Sequence, residues 1–436
     1  MKHPGPIALI PAGTVAFVLA SFIANGNWQD FGIWPEPSII GWNTGFADLA
    51  NQTATADCLR NGTDVTTCDP YGRAFQPYAI LPAQVMVALG LGVAQTGILG
   101  NALAAVYVLT IWFLARTIAR GWSRTIPALI AFLALFTFAA ITPPVLLLVE
   151  RGQLDILILA LATAGLAAFA VTGSAARALR GLGALSLFVS VAVKYFNLGV
   201  FAAFLAPRRW SWWAGAGIIA SIAFLLVNLG DVRTAQSTAG ADGAATSRVM
   251  FGASTLFVTL SVADPLAFGP ADDQRLPMAL FTAAGIAILL AFAAAWWWWF
   301  RVIDLPEPPG VTWYWIVGSA GSVGLPYLLG PSNDYRLVLL LPLLAAAGAW
   351  WGRGGPSGPL LAVAVLLTIA LATNAWMIPN ASGWALPEPA MIAGEIAISA
   401  TLAFGAAMLV HSWSVRRIPP KERRNTHSKT EVNKPS

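Results

Sequence analysis

The chain has 436 residues, 57% hydrophobic and 10% charged, with 25 Lys and Arg against 20 Asp and Glu. Soluble globular chains carry about a quarter of their residues as charges, so this composition excludes a water-soluble enzyme or a large soluble helical bundle. The net charge of +5 is no nucleic-acid signature, because the tail after Trp413 supplies it: Arg416, Arg417, Lys421, Arg423, Arg424, Lys429 and Lys434 stand against Glu422 and Glu431.

Apolar blocks almost free of charge occupy 7–24, 103–114, 156–172, 212–229, 276–300, 337–351, 360–372 and 391–410. Several reach the roughly 20 residues that cross a bilayer core. With no water there for backbone groups, each must be helical. The first block follows Lys2 and His3 without a clear small-x-small site, so a first membrane helix is expected rather than a cleaved signal. Short basic connections lie at 116–124, 177–180 and 208–209, from Arg301 onward, and at Arg353. The positive-inside rule puts them in the cytoplasm with the tail 414–436, which is polar and expected to be disordered. Long or acidic connections at 25–78, 143–155, 230–275, 330–334 and 374–389 then fall outside. The stretch 181–206 begins and ends beside basic connections and carries Lys194 at its middle, which predicts two half-helices turning at Lys194. The stretch 80–93 is expected to lie along the outer interface, and Trp296–Trp299 to join an aromatic belt. The expected fold is all-α: one polytopic transmembrane bundle over 1–413 with about ten full crossings and a half-helix hairpin, both termini cytoplasmic.

The chemistry-bearing residues collect on the outer side. Cys58 and Cys68 share the first outer loop, where oxidation is permitted, and are expected to form a disulfide; two unbonded thiols are the other reading. Asp48 sits on an otherwise apolar stretch near the membrane surface. A carboxylate in such surroundings holds a proton more readily and can act as general base toward a hydroxyl; an ordinary cap or loop acid is the alternative. After Pro143 and Pro144, the residues Glu150, Arg151, Gln153 and Asp155 flank Gly152, a set suited to bonding hydroxyl groups or simply a solvated helix rim. An intramembrane lysine needs a partner, so Lys194 points to an anion, either a protein carboxylate or a phosphate, unless it snorkels to the surface. Asn333, Asp334, Tyr335 and Arg336 open a late helix, where Arg336 binds phosphate, clamps Asp334, or forms an ordinary surface pair on a capped helix. Three His, none in an outer loop, leave little for a transition metal. A divalent cation among Asp48, Asp69, Glu150 and Asp155 stays open, nothing in their spacing demands it, and no cofactor is expected.

The first-loop pattern F-x-D-L … C … G … C-D-P-x-G-R, the G-Q before a long apolar helix, the lysine within a short helical pair and the late S-N-D-Y-R-L together resemble a bacterial GT-C-type glycosyltransferase. The nearest group is the polyprenyl-phosphate-sugar-dependent α-mannosyltransferase-like family of actinobacterial envelopes, and the likeness runs over roughly residues 1–350. That resemblance implies a membrane bundle whose active site faces outward. It implies a donor of mannose or a pentose such as arabinofuranose on polyprenyl phosphate, and an acceptor hydroxyl on a glycolipid or envelope glycan. By the same resemblance Asp48 is the general base and Gln153 lies near the sugar. Lys194, Arg336 and, more weakly, Arg73 meet the donor phosphate. Asp155, Glu150, Asn333, Asp334 and Tyr335 complete the sugar and acceptor contacts. The chain departs from the family pattern in carrying Asp155 where Asn is common. A transporter or flippase of lipid-linked sugar is the other functional class that an intramembrane lysine and broken helices suit, and a non-catalytic envelope scaffold is a third.

Overall fold

The computed structural model describes residues 6–25, 46–63, 80–206, 209–230, 250–251, 253, 275–329, 332–373 and 388–414. Much of the stretch 25–78 and the basic tail therefore lie outside the described residues. The described chain is almost wholly helical: α1 (Leu9–Asn25), α2 (Ala47–Arg60), α3 (Leu81–Ala88), α4 (Thr96–Ala119), α5 (Ile126–Ala139), α6 (Pro143–Glu150), α7 (Asp155–Phe169), α8 (Ala176–Val193), α9 (Trp212–Val227), α10 (Arg275–Val302), α11 (Gly310–Leu329), α12 (Leu341–Gly352), α13 (Ser357–Thr373) and α14 (Glu388–Ser414). Two longer 3-10 helices, Tyr195–Phe204 and Asp334–Leu340, interrupt the series. The extended exception is a two-residue antiparallel pairing of β1 (Met250–Phe251) with β2 (Ser332–Asn333). Proline sits in the first turn of α3, α5, α6 and α12. There its missing N–H costs nothing and its fixed φ suits the helix. The pair Pro143-Pro144 thus starts α6, and α5 and α6 meet at a 55° bend.

Among the described residues, four helices are long and apolar enough to cross a membrane, or five if the bent α5–α6 pair counts as one span. Large apolar side chains also face outward on these and neighbouring helices: Ile98, Leu109, Ile219, Leu226 and Leu290 are each at least 60% exposed. A water-soluble bundle would hide such a surface; lipid would cover it. The centre is the opposite case. Helix α11 buries Trp313, Trp315 and Tyr327, and its small residues let neighbours come close. A Cβ on Gly321 would overlap the Gly199 carbonyl oxygen of the first 3-10 helix, and one on Gly199 would overlap that of Gly321. Small residues at both surfaces let the two backbones touch, which is how membrane helices gain packing without a hydrophobic drive.

The expected hairpin at 181–206 has its turn at Lys194, but its first arm is longer than a half-helix. Helix α8 runs 18 residues and is long enough to cross alone, while the return is a ten-residue 3-10 helix. Lys194 makes the break with extended backbone, φ −147 and ψ 120. The late helix start also differs: Ser332–Asn333 is strand, Asp334–Leu340 is 3-10, and the α-helix begins only at Leu341, with a proline in its first turn. The stretch 80–93 contains only the eight-residue α3, too short to cross. Of the tryptophan run, Trp298 is 66% exposed, whereas Trp296 turns inward and donates Nε1–H to the Ala400 carbonyl at 2.9 Å.

The basic connections meet at one end of the bundle. Ser123 N–H and Oγ–H both reach the Gly352 carbonyl at 2.8 Å, and Arg124 Nε donates to Trp351 O at 2.7 Å. Arg209 pairs with Glu307 at 2.9 Å, and Gly358 packs against Trp299. The carboxyl end of α14 joins them through His411, whose Nε2 lies 3.3 Å from Leu305 O. Helices α7 and α8 run from or to this end, which leaves Asp155 and Lys194 at the other.

Candidate functional site

At that other end, α2 docks its first turn on the chain leaving α6. Phe46 N–H donates to Glu150 O at 2.5 Å, and the N–H groups of Asp48 and Leu49 both donate to Arg151 O, at 2.9 and 3.1 Å. These are amides a helix start leaves without an internal partner, so the carbonyls serve as its cap. Phe46 takes a left-handed conformation, φ 67, with its ring lying where a side chain on Gly100 would be. Gly152 makes the close approach possible: its φ is +62, and a Cβ there would lie 2.9 Å from Leu49 Cβ and 3.0 Å from Phe46 Cβ. Only glycine meets both demands without strain.

Backbone docking brings two side chains together. Arg151 Nε donates to Asp48 Oδ2 at 2.8 Å and Nη2 to Asp48 Oδ1 at 2.7 Å, a two-point ion pair in which Asp48 is 7% exposed. The sequence suggested a carboxylate on an apolar surface. The structure instead gives Asp48 a guanidinium, because the same residue whose carbonyl caps α2 carries its side chain alongside. Glu150 is half-buried beside this joint.

Two residues further on, the chain reaches the partners of Lys194. Lys194 Nζ donates to Gln153 Oε1 at 3.0 Å and forms an ion pair with Asp155 Oδ2. All three residues are buried: Lys194 is 4% exposed, Gln153 1% and Asp155 0%. Of the partners the sequence left open for Lys194, the described residues supply a protein carboxylate. Beyond the break, Asn197 N–H donates to Lys194 O at 3.2 Å, and Asn197 Nδ2 donates to Ser190 Oγ at 2.7 Å. The guanidinium of Arg336 lies 4.4 Å from the centre of the Phe196 ring, which ties the second 3-10 helix to the first.

Asp48, Gln153, Asp155, Lys194 and Arg336 therefore gather on one end of the bundle, joined by the stretch from Arg151 to Asp155. Of Asn333, Asp334 and Tyr335 only the backbone is described, and Arg73 lies outside the described residues. Cys58 is disulfide-bonded; Cys68, the chain's other cysteine, is also outside the described residues. Among the described residues no three His, Cys, Asp or Glu form a metal-holding group.

Asn197, Ser190 and Glu395 are among the buried polar residues not singled out from sequence. Asn197 and Ser190 flank Lys194 on either side of the break, and the signal for them was polarity within an apolar run. Glu395, 4% exposed on α14, was hidden in a block read as almost uncharged. It lies near Tyr327, whose hydroxyl is 2.6 Å from Ser399 Oγ and whose carbonyl accepts Ala253 N–H at 2.9 Å. Comparison with protein-family models, curated proteins and solved structures returned no match.

Proposed function

We propose that the chain is an integral-membrane glycosyltransferase of GT-C type, moving mannose or arabinofuranose from a polyprenyl-phosphate donor to a glycolipid or envelope-glycan hydroxyl. In this reading the shorter apolar helices complete about ten crossings. The end bearing the basic connections and both termini faces the cytoplasm, and the end bearing Asp48 faces outward. The observation that carries it is the joining of Asp48 to Lys194 through the five residues Arg151–Asp155. That stretch sets a fixed carboxylate beside a cation-bearing polar cluster at the bundle's end.

The chemistry is a single displacement. The acceptor oxygen attacks the anomeric carbon as the bond from that carbon to the phosphate oxygen breaks. The bond's electron pair leaves with polyprenyl phosphate, and the hydroxyl proton passes to Asp48. Arg151 aims the carboxylate by taking one lone pair from each oxygen, and an ionised carboxylate has about four such sites. Arg336, half-exposed at the start of its 3-10 helix, is the cation that stabilises the leaving phosphate. Lys194 holds Gln153 and Asp155 in place for the sugar and adds positive charge to the same region. A flippase of lipid-linked sugar is the second reading, favoured by the burial of the Lys194–Asp155 pair.

The test is to incubate purified protein with radiolabelled polyprenyl-phosphate mannose, or the arabinofuranose equivalent, and extracted envelope lipids. Wild type transfers label, and Asp48→Asn, folded as judged by thermal unfolding, loses transfer by about two to four orders of magnitude. Full activity in Asp48→Asn removes the base assignment. A wild type that transfers nothing but moves the donor across liposomes establishes the flippase.

A further inference from the structure

We infer that Asn197 reads a hydroxyl of the donor sugar; this rests on the glycosyltransferase reading and adds a specificity-determining residue to it. Asn197 is 0% exposed, and its side-chain oxygen has no hydrogen-bond partner among the described residues. The orientation of the amide is fixed by its neighbours. Ser190 Oγ–H donates to Leu187 O at 2.6 Å, which uses the hydroxyl's one proton, so Ser190 Oγ can only accept from Asn197. The NH2 of Asn197 must therefore face Ser190, and the carbonyl oxygen must face away. A buried acceptor left in this state costs free energy until a donor reaches it.

The surroundings say what kind of donor that is. Asn197 caps the Lys194 carbonyl through its own N–H, and Asp155, held by the lysine's ammonium, keeps a second buried oxygen without a partner, Oδ1. Two buried acceptors without partners, one on the residue that caps the Lys194 backbone and one on the carboxylate that holds its ammonium, suit a ligand rich in O–H donors and suit a phosphate or a carboxylate poorly. The residue before Asn197 is Phe196, whose ring lies under Arg336. Asn197 thus lies on the same 3-10 helix as the ring that carries Arg336.

The experiment compares kcat/KM for polyprenyl-phosphate mannose and for its 2-, 3-, 4- and 6-deoxy analogues, in wild type, Asn197→Ala and Ser190→Ala. Wild type is expected to disfavour one deoxy donor by about tenfold or more. Asn197→Ala should abolish discrimination against that donor alone and leave the other ratios as they were. Ser190→Ala, which frees the amide to turn, should weaken the same ratio while the protein stays folded. If Asn197 serves only to hold a buried water or the turn, both variants lower the melting temperature and slow every donor equally, and the inference is wrong. A wild type inactive on the mannose and arabinofuranose donors removes the glycosyltransferase reading itself, and this inference with it.

Discussion

At the scale of single residues, the Lys194–Asp155 pair is the most demanding feature. Removing one partner of a buried ion pair leaves the other charge uncompensated, which typically costs about 3–5 kcal/mol. Lys194→Met should therefore lower stability by that order, and Lys194→Met combined with Asp155→Leu should recover most of it. Thermal unfolding in detergent measures both, and equal losses in the single and double variants would show that the pair does not couple. The lysine was legible from sequence, since a charge in an apolar run needs an anion wherever the chain folds. Its partner was not, because Asp155 lies 39 positions away and only tertiary packing brings it to the lysine. Arg151 illustrates the same limit: its charge was visible, and its grip on Asp48 depends on α2 docking 103 residues earlier in the chain.

At the scale of elements, the joint between α2 and the chain after α6 decides where the candidate base sits. It is made of backbone hydrogen bonds closed over Gly152, so it should be sensitive to one methyl group. Gly152→Ala puts a non-glycine residue at φ +62, worth about 1–3 kcal/mol of strain, and overlaps Leu49 and Phe46 as well. We expect this variant to fold, to lose most transfer activity, and to become open to proteolysis within α2. Unchanged protease resistance together with full activity would show that the joint tolerates separation. Sequence located this junction through the Pro143-Pro144 pair and the charges after it. It did not foresee that the prolines begin a helix, because proline marks a break and also suits a first turn. The hairpin at Lys194 divides likewise: the break was legible from charge, whereas the 3-10 winding of 195–204 answers to the contact of Gly199 with Gly321 on α11, a distant segment.

At the scale of the whole molecule, the arrangement is one of ends. Composition gave the membrane, and the positive-inside rule grouped connections that are scattered from residue 116 to residue 353. The structure brings those connections into direct contact, Arg124 with Trp351 and Arg209 with Glu307, while Asp48 and Lys194 sit at the far ends of the intervening helices. The excess of Lys and Arg on one end is the ground for proposing that this end faces the cytoplasm. The chain offers a clean way to test this, since among the described residues no cysteine is free to confuse a label. Gln84→Cys would place a thiol on the exposed face of α3, near the candidate site, and Ser174→Cys would place one on the exposed turn between α7 and α8 at the basic end. In intact cells an impermeant maleimide should label the first and spare the second until the membrane is opened. The reverse pattern would put Asp48 in the cytoplasm, where a soluble nucleotide-sugar could reach it, and would remove the main reason for choosing a polyprenyl-phosphate donor.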